Sequence, residues 1–285
     1  MRSNFTKLAL AAALLLPAFS SAPLAAQGVG IDPNMVVVSS TTRSGSLTLL
    51  NTRSQPVEVE LTLQYGFAGT DSAGQSTVEM PDVVGEGEPD ATGWITIFPR
   101  RLTIPPQSDQ TIKFLARPPA GLPDGEYWSR VIIKARTGAA PVETVGATNE
   151  GITVGLTMET RTIIPLFYRK GRVSAGATIS QLSASQMGDS VLVTANLERT
   201  GEAAWLGTVT LNLVDAKGTV VASMLRNHAA YTKTAPRYTI PIPADLPSGN
   251  YTVEMVLGTE RTDVQDYLRI PTTGASATVQ VPIAK

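Results

Sequence analysis

Leu122-Pro123-Asp124-Gly125-Glu126-Tyr127 returns in the second half of the chain as Leu246-Pro247-Ser248-Gly249-Asn250-Tyr251. Both copies read Leu-Pro-x-Gly-x-Tyr, and a β-branched run follows each. Pro and Gly shape a tight turn, and the Tyr opens the strand after it. A tyrosine placed this way, its hydroxyl bonded back to the preceding turn, is the tyrosine corner of immunoglobulin-like sandwiches. Two copies predict an all-β chain of two tandem immunoglobulin-like β-sandwich domains.

The flanking sequence agrees. Val57, Val59, Leu61 and Leu63 alternate with Glu58, Glu60, Thr62 and Gln64, the period of a half-buried strand. Short apolar or β-branched runs recur at 36–38, 47–50, 94–98, 112–115 and 131–133. The second half continues at 177–182, 190–197, 208–214, 219–224, 238–242, 251–257 and 277–281. Pro105-Pro106, Pro118-Pro119 and Pro123-Asp124-Gly125 punctuate them, and no stretch holds a helical period for three turns. The small, polar stretch 171–176 is the expected linker, which places domain 1 at 28–170 and domain 2 at 171–285.

The 285 residues carry 23 Lys and Arg against 24 Asp and Glu. A net charge of -1 gives no electrostatic reason to expect nucleic acid as a partner. With no cysteine, disulfides, thiolate metal sites and cysteine nucleophiles are all excluded. At the N-terminus Arg2 and Lys7 precede an apolar run at 8–19, and small residues follow at Ala22, Ala25 and Ala26. This is the layout of a secretory signal peptide, expected over 1–27, and the run is shorter than the roughly 20 residues a spanning helix needs. The mature chain is therefore expected outside the cytoplasm.

Four stretches of the first half resemble the PapD-like periplasmic chaperones of pilus assembly. They are Ile31-Asp32-Pro33 with Arg43-Ser44-Gly45-Ser46-Leu47-Thr48-Leu49, Asn51 and Gln55-Pro56-Val57; Trp94-Ile95-Thr96-Ile97-Phe98-Pro99 with Arg101-Leu102-Thr103-Ile104-Pro105-Pro106; Gln110-Thr111-Ile112-Lys113-Phe114; and 122–130 followed by 161–169, which holds Ile164-Pro165-Leu166-Phe167-Tyr168-Arg169. Domain 2 is similar only in its general Ig character. The resemblance implies two Ig-like domains around a cleft, acting without ATP. It implies that the last strand of domain 1 is lent to an incomplete Ig-like subunit, whose C-terminal carboxylate two basic residues hold. A pilus or surface-fibre subunit, an outer-membrane usher and a self-capping dimer are the partners it suggests.

The candidate donor strand can be read from its residues. Ile152, Val154, Leu156 and Met158 are apolar, and Thr153, Gly155 and Thr157 between them are small. Alternate strand residues share a face, so four apolar side chains line up for pockets while the backbone pairs with a neighbour. A Gly- and Ala-rich loop at 138–151 precedes the run, and an apolar stretch at 163–168 extends it beyond ordinary strand length. The same alternation also suits an ordinary sandwich strand. The family's two cleft cations align with Met35 and Pro165, neither of which can bind a carboxylate. Arg161, Arg169 and Lys170 are the nearby substitutes.

Other chemistry is sparse. His228 is the only histidine and has no G-x-S-x-G elbow; its neighbours Asn227 and Ala229 predict an exposed loop. Glu86, Glu88 and Asp90 lie in a Gly-Glu-Gly-Glu-Pro-Asp segment that lacks the calcium-loop pattern and reads as a solvated loop. No cofactor, metal or catalytic residue is expected. The alternative to a subunit chaperone is a structural or adhesive Ig-like protein of the cell envelope, with an enzyme as a third and weaker reading.

Overall fold

The computed structural model describes residues 29–140, 156–270, 272 and 274–284. The first sandwich contains β1 (Gly30–Asp32), β2 (Val36–Ser39), β3 (Ser44–Asn51), β4 (Val57–Gln64), a hairpin of β5 (Phe67–Thr70) and β6 (Ser76–Glu79), then β7 (Ile95–Phe98), β8 (Arg101–Ile104), β9 (Ser108–Ala116), β10 (Gly125–Ala140) and β11 (Leu156–Lys170). One sheet runs β1-β3-β9-β7 and the other β2-β11-β10-β4-β8. The period of two sets the faces. Val57, Val59 and Leu61 are buried, as are Val131, Ile133, Ile164, Leu166 and Tyr168 from β10 and β11. Leu47, Leu49, Ile112 and Phe114 meet them from the opposite sheet. At the end of β3 the buried amide of Asn51 donates to the carbonyls of Gln55, Ile104 and Pro105, tying two turns together.

The second sandwich contains β12 (Gly176–Met187), β13 (Ser190–Thr200), β14 (Trp205–Val214), β15 (Val220–Ala230), β16 (Lys233–Thr234), β17 (Arg237–Pro241), β18 (Gly249–Gly258) and β19 (Ala275–Ile283). β12 pairs with β13, whose other edge takes β16 and β17. The facing sheet runs β15-β14-β18-β19. Two strands outrun their sequence reading. β12 continues past Leu182 through an irregularity between Ser180 and Ser183, and β15 reaches Ala230 rather than ending near Met224. Both extensions are polar, so local hydropathy does not reveal them. They persist because a neighbouring strand supplies the backbone partners.

Both tyrosine corners form. Tyr127 Oη donates to the Pro123 carbonyl at 2.9 Å and Tyr251 Oη to the Pro247 carbonyl at 2.8 Å.

The sandwiches meet over a third apolar cluster. Trp128 and Phe167, directly opposite each other on β10 and β11, face away from the domain 1 core. Tyr231 packs edge-on to Trp128 at 4.8 Å and stacks on Phe167 at 5.9 Å. Met35, Tyr65, Val264 and Leu268 complete the cluster. The β5–β6 hairpin is a second bridge: Ala235 N–H donates to Thr70 Oγ1 and Arg237 N–H to the Gly74 carbonyl. Gly74 has φ +75°, and a Cβ there would stand 2.4 Å from Cγ of Arg237, so the close approach requires glycine.

Tyr251 is almost fully buried, and its hydroxyl bond is the only part of the corner that phenylalanine lacks. Tyr251→Phe is expected to cost about 1 kcal/mol in urea unfolding, with m unchanged.

Candidate functional site

The first strand leaves a gap. β1 pairs with β3 in one sheet, and after residues 33–35 the chain enters the other sheet as β2. β2 pairs with β11, in parallel, only from Leu166↔Val36 to Arg169↔Ser39. Among the described residues, β11 therefore has β10 on one side and no strand on the other over 158–165.

The bare edge has defined chemistry. Ser40 N–H donates to the Arg169 carbonyl at 2.9 Å, so position 169 turns its backbone groups away from β10. Alternation carries the same direction to Glu159, Arg161, Ile163 and Pro165. Pro165 lacks an N–H, and the lack falls on the open edge, where it costs the β10 ladder nothing. The inner-face positions on this stretch are poorly covered: Met158 and Thr162 are exposed, whereas Ile164, Leu166 and Tyr168 are buried. Met158 has the parity of the domain 1 core residues Ile164, Leu166 and Tyr168. Ile152 and Val154 themselves lie outside the described residues. Leu156 opens β11, with its backbone opposite Ala140.

The three expected anchors have different surroundings. Arg169 Nε bonds Glu126 Oε2 at 2.7 Å, and another of its nitrogens donates to the Leu268 carbonyl of domain 2. Lys170 Nζ donates to the Leu122 carbonyl and pairs with Asp124 at 3.1 Å. Arg161 is exposed on the outer face, directly opposite Lys134. Among the described residues no carboxylate bonds it. Met35 is buried in the interdomain cluster, which explains why no cation stands there: an unpaired charge in that apolar contact would be costly.

Sequence reasoning missed two interdomain groups. Glu126 is buried; besides Arg169 it accepts from Trp128 Nε1 at 3.2 Å and from Ala204 N–H of domain 2 at 3.0 Å. Arg130, opposite Pro165, is also buried; its Nε donates to the Gly66 carbonyl and its guanidinium lies 5.0 Å from the Tyr231 ring centre. Their sequence signal was available in outline. Both are charged residues that share their outward parity with Trp128 and Ile132. Only the packing of domain 2 shows that this outward face is covered.

His228 corrects the loop expected there. It sits inside β15 and is buried, with Nε2 2.9 Å from Thr234 Oγ1 and Nδ1 3.2 Å from Tyr238 Oη. Burial, with Arg261 close by, lowers its pKa to about 4. Its ring joins two hydroxyls, and among the described residues no carboxylate bonds it. The acidic segment is less free than its composition suggests: Glu88 accepts from Tyr65 Oη at 2.7 Å, and Asp90 accepts from both the N–H and the hydroxyl of Thr92. Among the described residues no three His, Asp or Glu side chains gather as a metal site.

No family model matches the chain, and no curated protein is similar to it in sequence. Solved structures are similar to it in fold. The YadV chaperone is 16% identical, with 88% of this chain and 99% of that one covered, at a TM-score of 0.46. The CsuC chaperone, from a complex with the CsuE tip adhesion subunit of Acinetobacter baumannii, is 11% identical over 89% and 97% at 0.42. The Class 5 fimbriae chaperone CfaA is 10% identical over 88% and 98% at 0.41. The chain is similar in fold to these chaperones. The similarity is one of fold alone; the site stands on its own geometry.

Two outcomes follow. Removing the Glu126 side chain leaves the Arg169 guanidinium unanswered in a mostly buried place, so Glu126→Ala is expected to lose about 3–5 kcal/mol in urea unfolding. His228 binds a proton more weakly folded than unfolded. Its contribution to stability is therefore full above about pH 6.5 and is lost as pH falls toward 4. The loss is about 3 kcal/mol. Unfolding of wild type and His228→Gln at neutral pH and near pH 4 checks this, the variant showing the shallower acid dependence.

Proposed function

We propose that this chain is a periplasmic chaperone that stabilises incomplete Ig-like subunits of pili or other surface fibres by adding its own β-strand to them. The observation that carries the reading is the bare edge of β11 over 158–165, which the apolar alternation of the sequence at 152–158 adjoins. A subunit lacking one strand exposes a slot of apolar pockets and unpaired backbone. Backbone groups along the edge would supply the hydrogen bonds, and Ile152, Val154, Leu156 and Met158 would fill the pockets. Both needs are met by one extended strand, so no nucleotide or metal is required.

An exposed strand edge is an aggregation hazard, and its retention calls for a use. Here the edge carries Glu159, Arg161 and Pro165, which discourage casual pairing while leaving the backbone groups available. Arg169 and Lys170 already have carboxylate partners within the chain, so Arg161 is the expected anchor whose charge remains to be met. The CsuC chaperone was solved with a tip adhesion subunit, and a client of that kind is proposed here. An outer-membrane usher as second partner and a self-capped dimer in the absence of client belong to the same proposal, as does export through residues 1–27.

The test is a pull-down of tagged protein from its native periplasm with intact-mass detection, comparing wild type with Leu156→Asp and Met158→Asp. One stoichiometric partner of pilin size is expected, weakened about tenfold or more by either change, because an unpaired carboxylate is costly in an apolar pocket. Unchanged thermal unfolding would show that the variants are folded. A partner retained by both folded variants would favour the structural or adhesive reading, with binding through loops at a sandwich end.

A further inference from the structure

The outer face of the β8-β4-β10-β11 sheet carries a row of side chains directly opposite one another: Arg101, Glu60, Lys134 and Arg161. Opposite charges placed this way stabilise a sheet and like charges do the reverse. The first link is made, with Arg101 Nη2 2.9 Å from Glu60 Oε1. The last link is a clash of sign, Lys134 facing Arg161. Position 161 turns its backbone away from β10, which makes this the pairing in which side chains come closest. The next row alternates throughout: Glu58, Arg136 and Glu159 change sign at each step, and Arg136 bonds Glu159.

Three cations thus share one carboxylate in the first row, and the surplus lies at its end, on the bare edge of β11. Among the described residues none continues the alternation beyond Arg161, and the position that a further strand would occupy can. We propose that Arg161 selects the client: the strand that pairs with β11 carries an acidic side chain opposite Arg161. This rests on the strand-addition reading above. An Asp or Glu there continues the alternation, and the planar guanidinium can receive it through two parallel hydrogen bonds. A Lys or Arg there would extend the run of like charge. Because the site is solvated, its effect is discrimination among clients more than raw affinity.

Two acetylated and amidated strand-length peptides of alternating Val and Thr separate the claims. One carries Glu at its central outward position and the other Lys, so the Glu side chain is the only carboxylate. Titrated into the purified chain at low salt, the Glu peptide is expected to bind about three- to tenfold more tightly by fluorescence anisotropy, and the preference to shrink as salt is added. Arg161→Glu, a change at an exposed position, is expected to reverse the order. Hydrogen exchange at the amides of Glu159, Arg161 and Ile163 reports strand addition independently of affinity. Protection by both peptides at equal affinity, or an order unchanged in Arg161→Glu, would overturn the acidic-partner proposal and leave strand addition standing. Protection by neither would remove strand addition, and this proposal with it.

Discussion

The β10–β11 ribbon has two covered faces, and the rest of the molecule is arranged around that constraint. On one face Val131, Ile133, Ile164, Leu166 and Tyr168 belong to the core of domain 1. On the other, Trp128 and Phe167 meet Tyr231 of domain 2. Strand geometry allows this because successive side chains alternate. A ribbon that serves two apolar contacts near residues 125–131 and 164–170 is anchored there. Toward residues 137 and 158 only one face is packed, and the apolar cover thins.

That gradient bears on function. The anchored end holds the domains together through Glu126, Arg169 and the aromatic cluster. The thin end presents a long strand whose outer neighbour stops at Val36. Because the first strand divides its length between two sheets, the domain 1 fold closes without covering β11 completely. Proline at 165 fits the same plan, since its missing donor falls on the uncovered edge.

Electrostatics divides along the ribbon in the same way. Buried charges near the interface have internal partners: Glu126 has Arg169 and two N–H donors, and Arg130 has the Gly66 carbonyl and the Tyr231 ring. The solvated outer face carries alternating rows, of which one is left unbalanced at Arg161. The cations that resemblance to the pilus chaperones implies at Met35 and Pro165 are replaced by an apolar contact and an edge proline.

Much of the fold could be read from local pattern. The paired Leu-Pro-x-Gly-x-Tyr turns, the period of two in β4 and the length of β11 depend on residues close in sequence, and each determines a turn, a face or an extended backbone without reference to the rest. The candidate site divides differently. The parity of Met158 with the core face follows from sequence, but how much of the β11 edge stays bare depends on where β2 begins, a contact between residues more than 100 positions apart. The burial of Glu126 likewise depends on what covers an outward face, which a strand's own alternation does not reveal. Sequence determined what each strand offers; tertiary structure decided which of those offers are already taken, because strand neighbours and domain contacts are set by non-local packing.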